Sequence, residues 1–136
     1  MNLFNRRPSL GRFCFWLYFI GPAVAWAGLI FWLSAQSGES LPQIDVPQVD
    51  KAAHGAEYLI LGLLAARAWG RGGAFRWRGA VWAWLLASIY GLTDEGHQLL
   101  VAGRTCDAID WAVDCFAAAV GAMTWLRWTV WRRKNL

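Results

Sequence analysis

The chain has 136 residues, 57% of them hydrophobic and only 16% charged, and 11 are Trp. A soluble domain of this size carries more charge, so the composition excludes an ordinary water-soluble globule. The net charge of +4 does not indicate a nucleic-acid partner, because the basic residues flank apolar runs instead of forming a patch on a polar domain.

The length leaves room for one small helical bundle, with residues 1–12 as a short N-terminal segment before it. The first span is 13–33, twenty-one residues without a charge. At about 1.5 Å per residue it reaches about 31 Å, enough to cross a bilayer core. It is too long and too aromatic for a signal-peptide core, and no small-residue cleavage pattern follows it. Gly21-Pro22 predicts a kink. The linker 34–49, with Pro42 and Pro47, is polar and acidic and reads as an irregular loop.

The second span is about 50–69. Its first third is polar, with Lys51, His54, Glu57 and Tyr58, and 59–66 are apolar. Arg71-Gly72-Gly73 makes a turn. The third span, about 79–101, starts apolar and ends with Thr93-Asp94-Glu95-Gly96-His97-Gln98. A loop with Gly103 and Arg104 leads to the fourth span, about 107–128, which starts with Asp107, Asp110 and Asp114 and ends apolar. The membrane domain thus covers 13–131, and 132–136 form a basic tail. Cys14, Cys106 and Cys115 are odd in number and lack metal-ligand spacing, so they read as small apolar filler.

Charges divide by side. Eleven of the thirteen Lys/Arg residues lie in the N-terminal segment, the second loop and the tail with their adjacent helix ends. Only Lys51 and Arg104 lie on the other side, with all nine acids. By the positive-inside rule both termini are cytoplasmic. Trp69, Trp77, Trp82, Trp84, Trp125, Trp128 and Trp131 crowd the cytoplasmic edge as an interfacial belt. The fold class is therefore all-α, an integral membrane bundle of four transmembrane helices, multi-pass with both termini cytoplasmic.

Spans two to four each complete their crossing with a polar segment facing the exterior or periplasm. Lipid does not solvate such segments, so they turn inward around a shared cavity. The spacing agrees: Asp50, His54, Glu57 and Tyr58 share one helical face, as do Asp94 with Gln98, and Asp107, Asp110 and Asp114. Below them Ala117, Ala118 and Gly121, and on helix two Gly55 and Gly62, form small faces that let helices pack closely.

Asp107 and Asp50 read as helix caps, with Asp110 sharing the dipole benefit. Glu39 and Asp45 read as solvated loop acids. His54, Glu57, Asp94, Glu95 and Asp114 lie deeper, where charge needs a partner. Lys51 and Arg104 are the available cations, and they are too few. Either some acids are protonated or a divalent metal ion sits among them, with His54, Glu57, Asp94 and Glu95 as its candidate ligands. His54-x-x-Glu57 brings two ligands together at i, i+3, a short pattern of little specificity. His97 lies one position round from Gln98, towards the lipid headgroups. No zinc-protease pattern, nucleophile elbow, P-loop or dinucleotide fingerprint occurs.

Asp50-Lys51-x-x-His54-x-x-x-Tyr58-x-x-Leu61-Gly62, Tyr90-Gly91-x-x-Asp94-Glu95-x-x-Gln98, and Gly103-Arg104-Thr105 with Asp110, resemble the VanZ-like family of small membrane proteins. Ser34-Ala35-Gln36 resembles that family's first exterior boundary. The resemblance covers about 34–121. The chain departs from the pattern at Asp114, where Asn is usual, at Ala117 (Gly), at Ala102 (often Pro) and at Asp107 (often Ser). The family takes its name from a protein linked to low-level resistance to the glycopeptide teicoplanin, so the resemblance implies an architecture and a residue set rather than a reaction.

The leading expectation is an enzyme or binding protein acting on headgroups of membrane lipids or lipid-linked envelope intermediates. As an enzyme, it would use His54 as general base or metal ligand, and Asp94 and Glu95 as metal ligands or an acid/base pair. Lys51 and Arg104 would hold a phosphate or carboxylate, with Tyr58 and Gln98 also lining the substrate site. Asp50, Asp110 and Asp114 would support it. A small transporter or flippase is the alternative, weakened because 23–30 and 85–88 carry no midplane acid. A non-catalytic assembly factor is the third reading. A bundle this small is also a candidate homo-oligomer.

Overall fold

The computed structural model describes Cys14 and residues 16–37, 49–69 and 76–135, with the backbone alone at Val49, Asp50 and Arg76. The expected N-terminal segment, most of the acidic linker with Glu39 and Asp45, and the Arg71-Gly72-Gly73 turn lie outside the described residues. All regular structure among the described residues is helical. Its four main helices are α1 (Gly21–Ser34), α2 (Val49–Trp69), α3 (Arg76–Gln98) and α4 (Ala108–Lys134).

Residues 16–19 are helical, Ile20 is a turn residue, and α1 then begins at Gly21 with Pro22 in its first turn. Proline is tolerated there because the first-turn N–H groups have no helical partner. Bonds from Ile20 N to Trp16 O (2.9 Å) and from Val24 N to Ile20 O (3.0 Å) carry the chain across the interruption. The break expected at Gly21-Pro22 thus falls one residue earlier.

Between α3 and α4 the chain turns through Gly103, whose φ of 74° lies in the left-handed region that favours glycine. Asp107 then caps α4: its backbone is extended and its side chain accepts from Ile109 N at 2.8 Å. The fourth helix runs past the expected end near 128, so the basic tail is its last turn. There Arg132, Arg133 and Lys134 face the negative end of the helix dipole.

Helices α2 and α4 run in the same direction and touch backbone to backbone. A Cβ on Gly62 would strike the Ala118 carbonyl and come 2.8 Å from its Cα; one on Gly121 would strike the Leu59 carbonyl and come 2.9 Å from Leu63 N. The small-residue stripe is therefore a packing seam. Gly55 is not part of it, since a Cβ there meets only Val113 Cγ1 at 3.5 Å.

Ring donors tie the other helices in. Trp26 Nε1 donates to Glu57 O (2.9 Å), Tyr90 OH to Ala27 O (2.7 Å), Trp111 Nε1 to Ser88 O (3.0 Å) and Trp84 Nε1 to Cys115 O (3.0 Å). Trp84 thus serves as a pin between α3 and α4. The buried apolar core is built mostly of alanines, with Ile30, Tyr58 and Leu61. Leu17, Phe31, Ile89, Leu92, Leu100 and Phe116 point outward. Among the described residues α4 alone is long and apolar enough to cross a membrane by those measures; α1 is apolar but has 14 residues.

Candidate functional site

The polar segments of α2, α3 and α4 converge at one end of the bundle, beside the C-terminus of α1. At the mouth, Lys51 Nζ donates to Asp107 Oδ2 at 3.0 Å and to Asp110 Oδ1 at 2.5 Å. Asp107 is thus both helix cap and ion-pair partner. Its own N–H donates to Glu95 Oε2 at 2.9 Å, which fixes one oxygen of Glu95.

Arg104 takes a different role. Its Nε donates to Gln36 O at 3.2 Å and its Nη2 to Leu33 O at 3.3 Å. The Leu33 carbonyl lies in the last turn of α1 and that of Gln36 just beyond it, where a cation is favoured by the dipole and by orphan acceptors. The expectation that both cations face acids therefore holds for Lys51, while Arg104 ties the last loop to the first helix.

Deeper in, Ser34 Oγ donates to Asp94 Oδ2 at 2.7 Å, and Gln98 Nε2 approaches the same oxygen at 3.5 Å. His54 Nδ1 lies 3.2 Å from Asp114 Oδ1. Tyr58, completely buried, lies beside them on α2. Room for its ring comes from Gly91: a Cβ there would stand 3.2 Å from Tyr58 Cε1 and 3.4 Å from Asp114 Oδ2. The Tyr90-Gly91-x-x-Asp94-Glu95 pattern thus has a physical content. Tyr90 and Asp94 hold α1, Gly91 makes space, and Glu95 reaches towards α4.

One donor atom each from His54, Glu95 and Asp114 lies within 4.8 Å of the others. Asp114 is 0% and Glu95 2% exposed. Glu95 Oε1, Asp114 Oδ2, Asp94 Oδ1 and the Tyr58 hydroxyl are buried with no hydrogen-bond partner. The structure thus brings together two of the four expected metal ligands, His54 and Glu95. It adds Asp114 from α4 and turns Asp94 towards Ser34 and Gln98 instead. Glu57, half-buried, is on the same helix but outside this group.

Sequence reasoning missed two site residues. Ser34 was a boundary residue rather than a ligand, and its signal was a hydroxyl closing an otherwise apolar span. Gly91 left no signal beyond its place in the motif. His97 stacks on Phe31 of α1, ring centroids 4.6 Å apart, so it packs against a helix rather than facing outward alone. In the loop, partial desolvation and then the Glu95 carboxylate raise Cys106 above the usual thiol range, which makes its thiolate scarcer at neutral pH.

Comparison with curated proteins and with solved structures gave no significant match. A family match, described as VanZ/LLP1, spans residues 15–131, taking in all three polar segments and the last loop. The site residues all lie within that range, and the chain belongs to the VanZ/LLP1 family.

Proposed function

We propose that this chain is a multi-pass protein of a bacterial cytoplasmic membrane, a four-span bundle with both termini cytoplasmic. Its polar end faces the exterior or periplasm and binds or processes the headgroup of a lipid or lipid-linked envelope intermediate.

The observation that carries this reading is the inverted distribution of side chains. Soluble domains bury their large apolar residues and expose charge. Here the largest fully buried side chains are Tyr58, Ile30, Glu95 and Asp114, while Leu, Ile, Phe and Trp residues cover the outside of the same helices. An apolar exterior around a polar interior is what a lipid solvent selects. The charge asymmetry, eleven cations against two, supports the orientation. Exposed Trp69, Trp77, Trp82, Trp128 and Trp131 support an interfacial belt at the opposite end.

The depth of the site supports the ligand class. Asp114 lies four residues beyond Asp110, about 6 Å further along the helix. In the proposed membrane placement, that depth matches the level at which a headgroup meets its acyl chains. Family membership agrees with a role at the outer face of the membrane, including the link to teicoplanin resistance in the protein that named the family.

Native mass spectrometry of the protein released from nanodiscs tests the reading. The discs contain an anionic phospholipid and a polyprenyl phosphate. The wild-type chain is expected to retain one such lipid, and Asp94→Asn and His54→Ala to retain markedly less while still inserting. Equal retention by all three, or none by the wild type, would sink it.

A further inference from the structure

We propose that His54, Glu95 and Asp114 form a binding site for one divalent first-row metal cation, zinc or manganese. The proposal deepens the headgroup reading, on which its purpose rests, by naming what meets a headgroup phosphate at an acidic site.

Both candidate cations of the polar end are already engaged. Lys51 serves Asp107 and Asp110, and Arg104 serves the carbonyls of Leu33 and Gln36. Neither is bonded to Glu95 or Asp114. Glu95 uses Oε2 on the Asp107 N–H and Asp114 uses Oδ1 on His54. The other oxygen of each is buried without a partner, on residues more than nine-tenths buried. Among the described residues no N–H or O–H donor reaches either of these oxygens. No other lysine or arginine among the described residues is bonded there either.

The donor set fits a metal ion in kind and spacing. One imidazole nitrogen with two carboxylate oxygens suits zinc or manganese better than magnesium or calcium, which prefer all-oxygen sets. Bonds of roughly 2.0–2.2 Å place neighbouring donors about 3–4 Å apart. Donors within 4.8 Å of one another close on an ion with small side-chain movements. Two carboxylates and a neutral imidazole around a divalent ion make a neutral assembly, which suits a site beneath the mouth. The three donors come from α2, α3 and α4, so one ion joins three of the four helices. Three protein ligands leave a coordination position open, and a phosphate oxygen is the natural fourth ligand among otherwise anionic groups.

The test uses the full chain in detergent, free of affinity tag and stripped with chelator, with zinc and manganese as separate probes. Calorimetry and elemental analysis should give one ion per chain. Loss of a partner that merely orients a ligand weakens metal affinity about 10–100-fold. His54→Ala, Glu95→Gln and Asp114→Asn should each weaken it at least that much, whereas Asp94→Asn should retain the ion. A cobalt-loaded sample should show a ligand-field spectrum that the three variants lose. Monodisperse elution and an unchanged helical circular dichroism spectrum separate loss of the site from loss of the fold. The proposal is overturned if the wild type holds no ion above the stripped level, or if well-folded variants hold it as tightly as the wild type. The two readings separate cleanly. Lipid retention that depends on Asp94 without any bound ion leaves the headgroup reading standing and the metal site refuted. An ion bound by the triad with no lipid retained does the reverse.

Discussion

Ser34 of α1 donates a 2.7 Å hydrogen bond to Asp94 of α3, joining residues 60 positions apart at the buried end of the bundle. The bond makes α1 part of the site, although α1 carries no charge of its own. Ser34→Ala would leave Asp94 Oδ2 with only the 3.5 Å approach of Gln98 and Oδ1 still unpartnered. An unsatisfied buried acceptor costs about 1–3 kcal/mol. A thermal unfolding midpoint in detergent should fall accordingly, with Ser34→Thr much closer to the wild type.

The α2–α4 seam should tolerate nothing larger than glycine at two positions. Gly62→Ala and Gly121→Ala each drive a methyl group into a backbone carbonyl, an overlap that no side-chain rotation relieves. Overpacking of this kind costs about 1–3 kcal/mol or more. Gly28→Ala, with nothing within 4 Å, and Gly55→Ala, in ordinary contact, are the matched controls. Yield of monodisperse protein and the unfolding midpoint should separate the two pairs.

Arg104 should resist replacement by lysine. Two of its nitrogens serve two carbonyls at once, a geometry that a single ammonium reproduces poorly. Arg104→Ala should increase hydrogen exchange at the C-terminal end of α1, around residues 33–37. Arg104→Lys should recover only part of the protection. Full recovery would mean that charge alone matters there.

Cys106 offers a test of orientation with a pH signature. It sits in the loop between α3 and α4 and is exposed. With Cys14 and Cys115 replaced by Ala, a membrane-impermeant maleimide added to right-side-out vesicles should label it. Its raised pKa means that the reactive thiolate is scarcer than for a free thiol at neutral pH. The labelling rate should therefore keep climbing with pH beyond the point where a free thiol levels off. Labelling only after the vesicles are opened would contradict the proposed orientation.

Much of this was legible in the sequence because helices leave periodic traces. The small stripe of Ala117, Ala118 and Gly121, the cap at Asp107 and the inward face of His54 and Asp94 all follow from spacing on a single helix. What the sequence did not disclose depends on pairing between helices. Nothing in one helix says that Arg104 will meet the carbonyls of Leu33 and Gln36 rather than an acid. Nor does it say that Asp94 will turn to Ser34 while Asp114 takes His54. Asp114 illustrates the point: judged by its own helix it was a supporting residue, yet it is completely buried at the centre of the cluster. Helix ends were also hard to read, because the basic tail continues α4 in the same helical conformation.

The glycine seam has a consequence for the polar end. His54 and Asp114 stand on the two helices that meet at Gly62 and Gly121, roughly two turns away along each. With backbone against backbone there is no side chain between the helices to compress or to swing aside. The gap between imidazole and carboxylate is therefore gauged by main-chain contact, much as a spacer sets the jaws of a clamp. Two residues that bear no functional group thus help set the size of what the charged residues can hold.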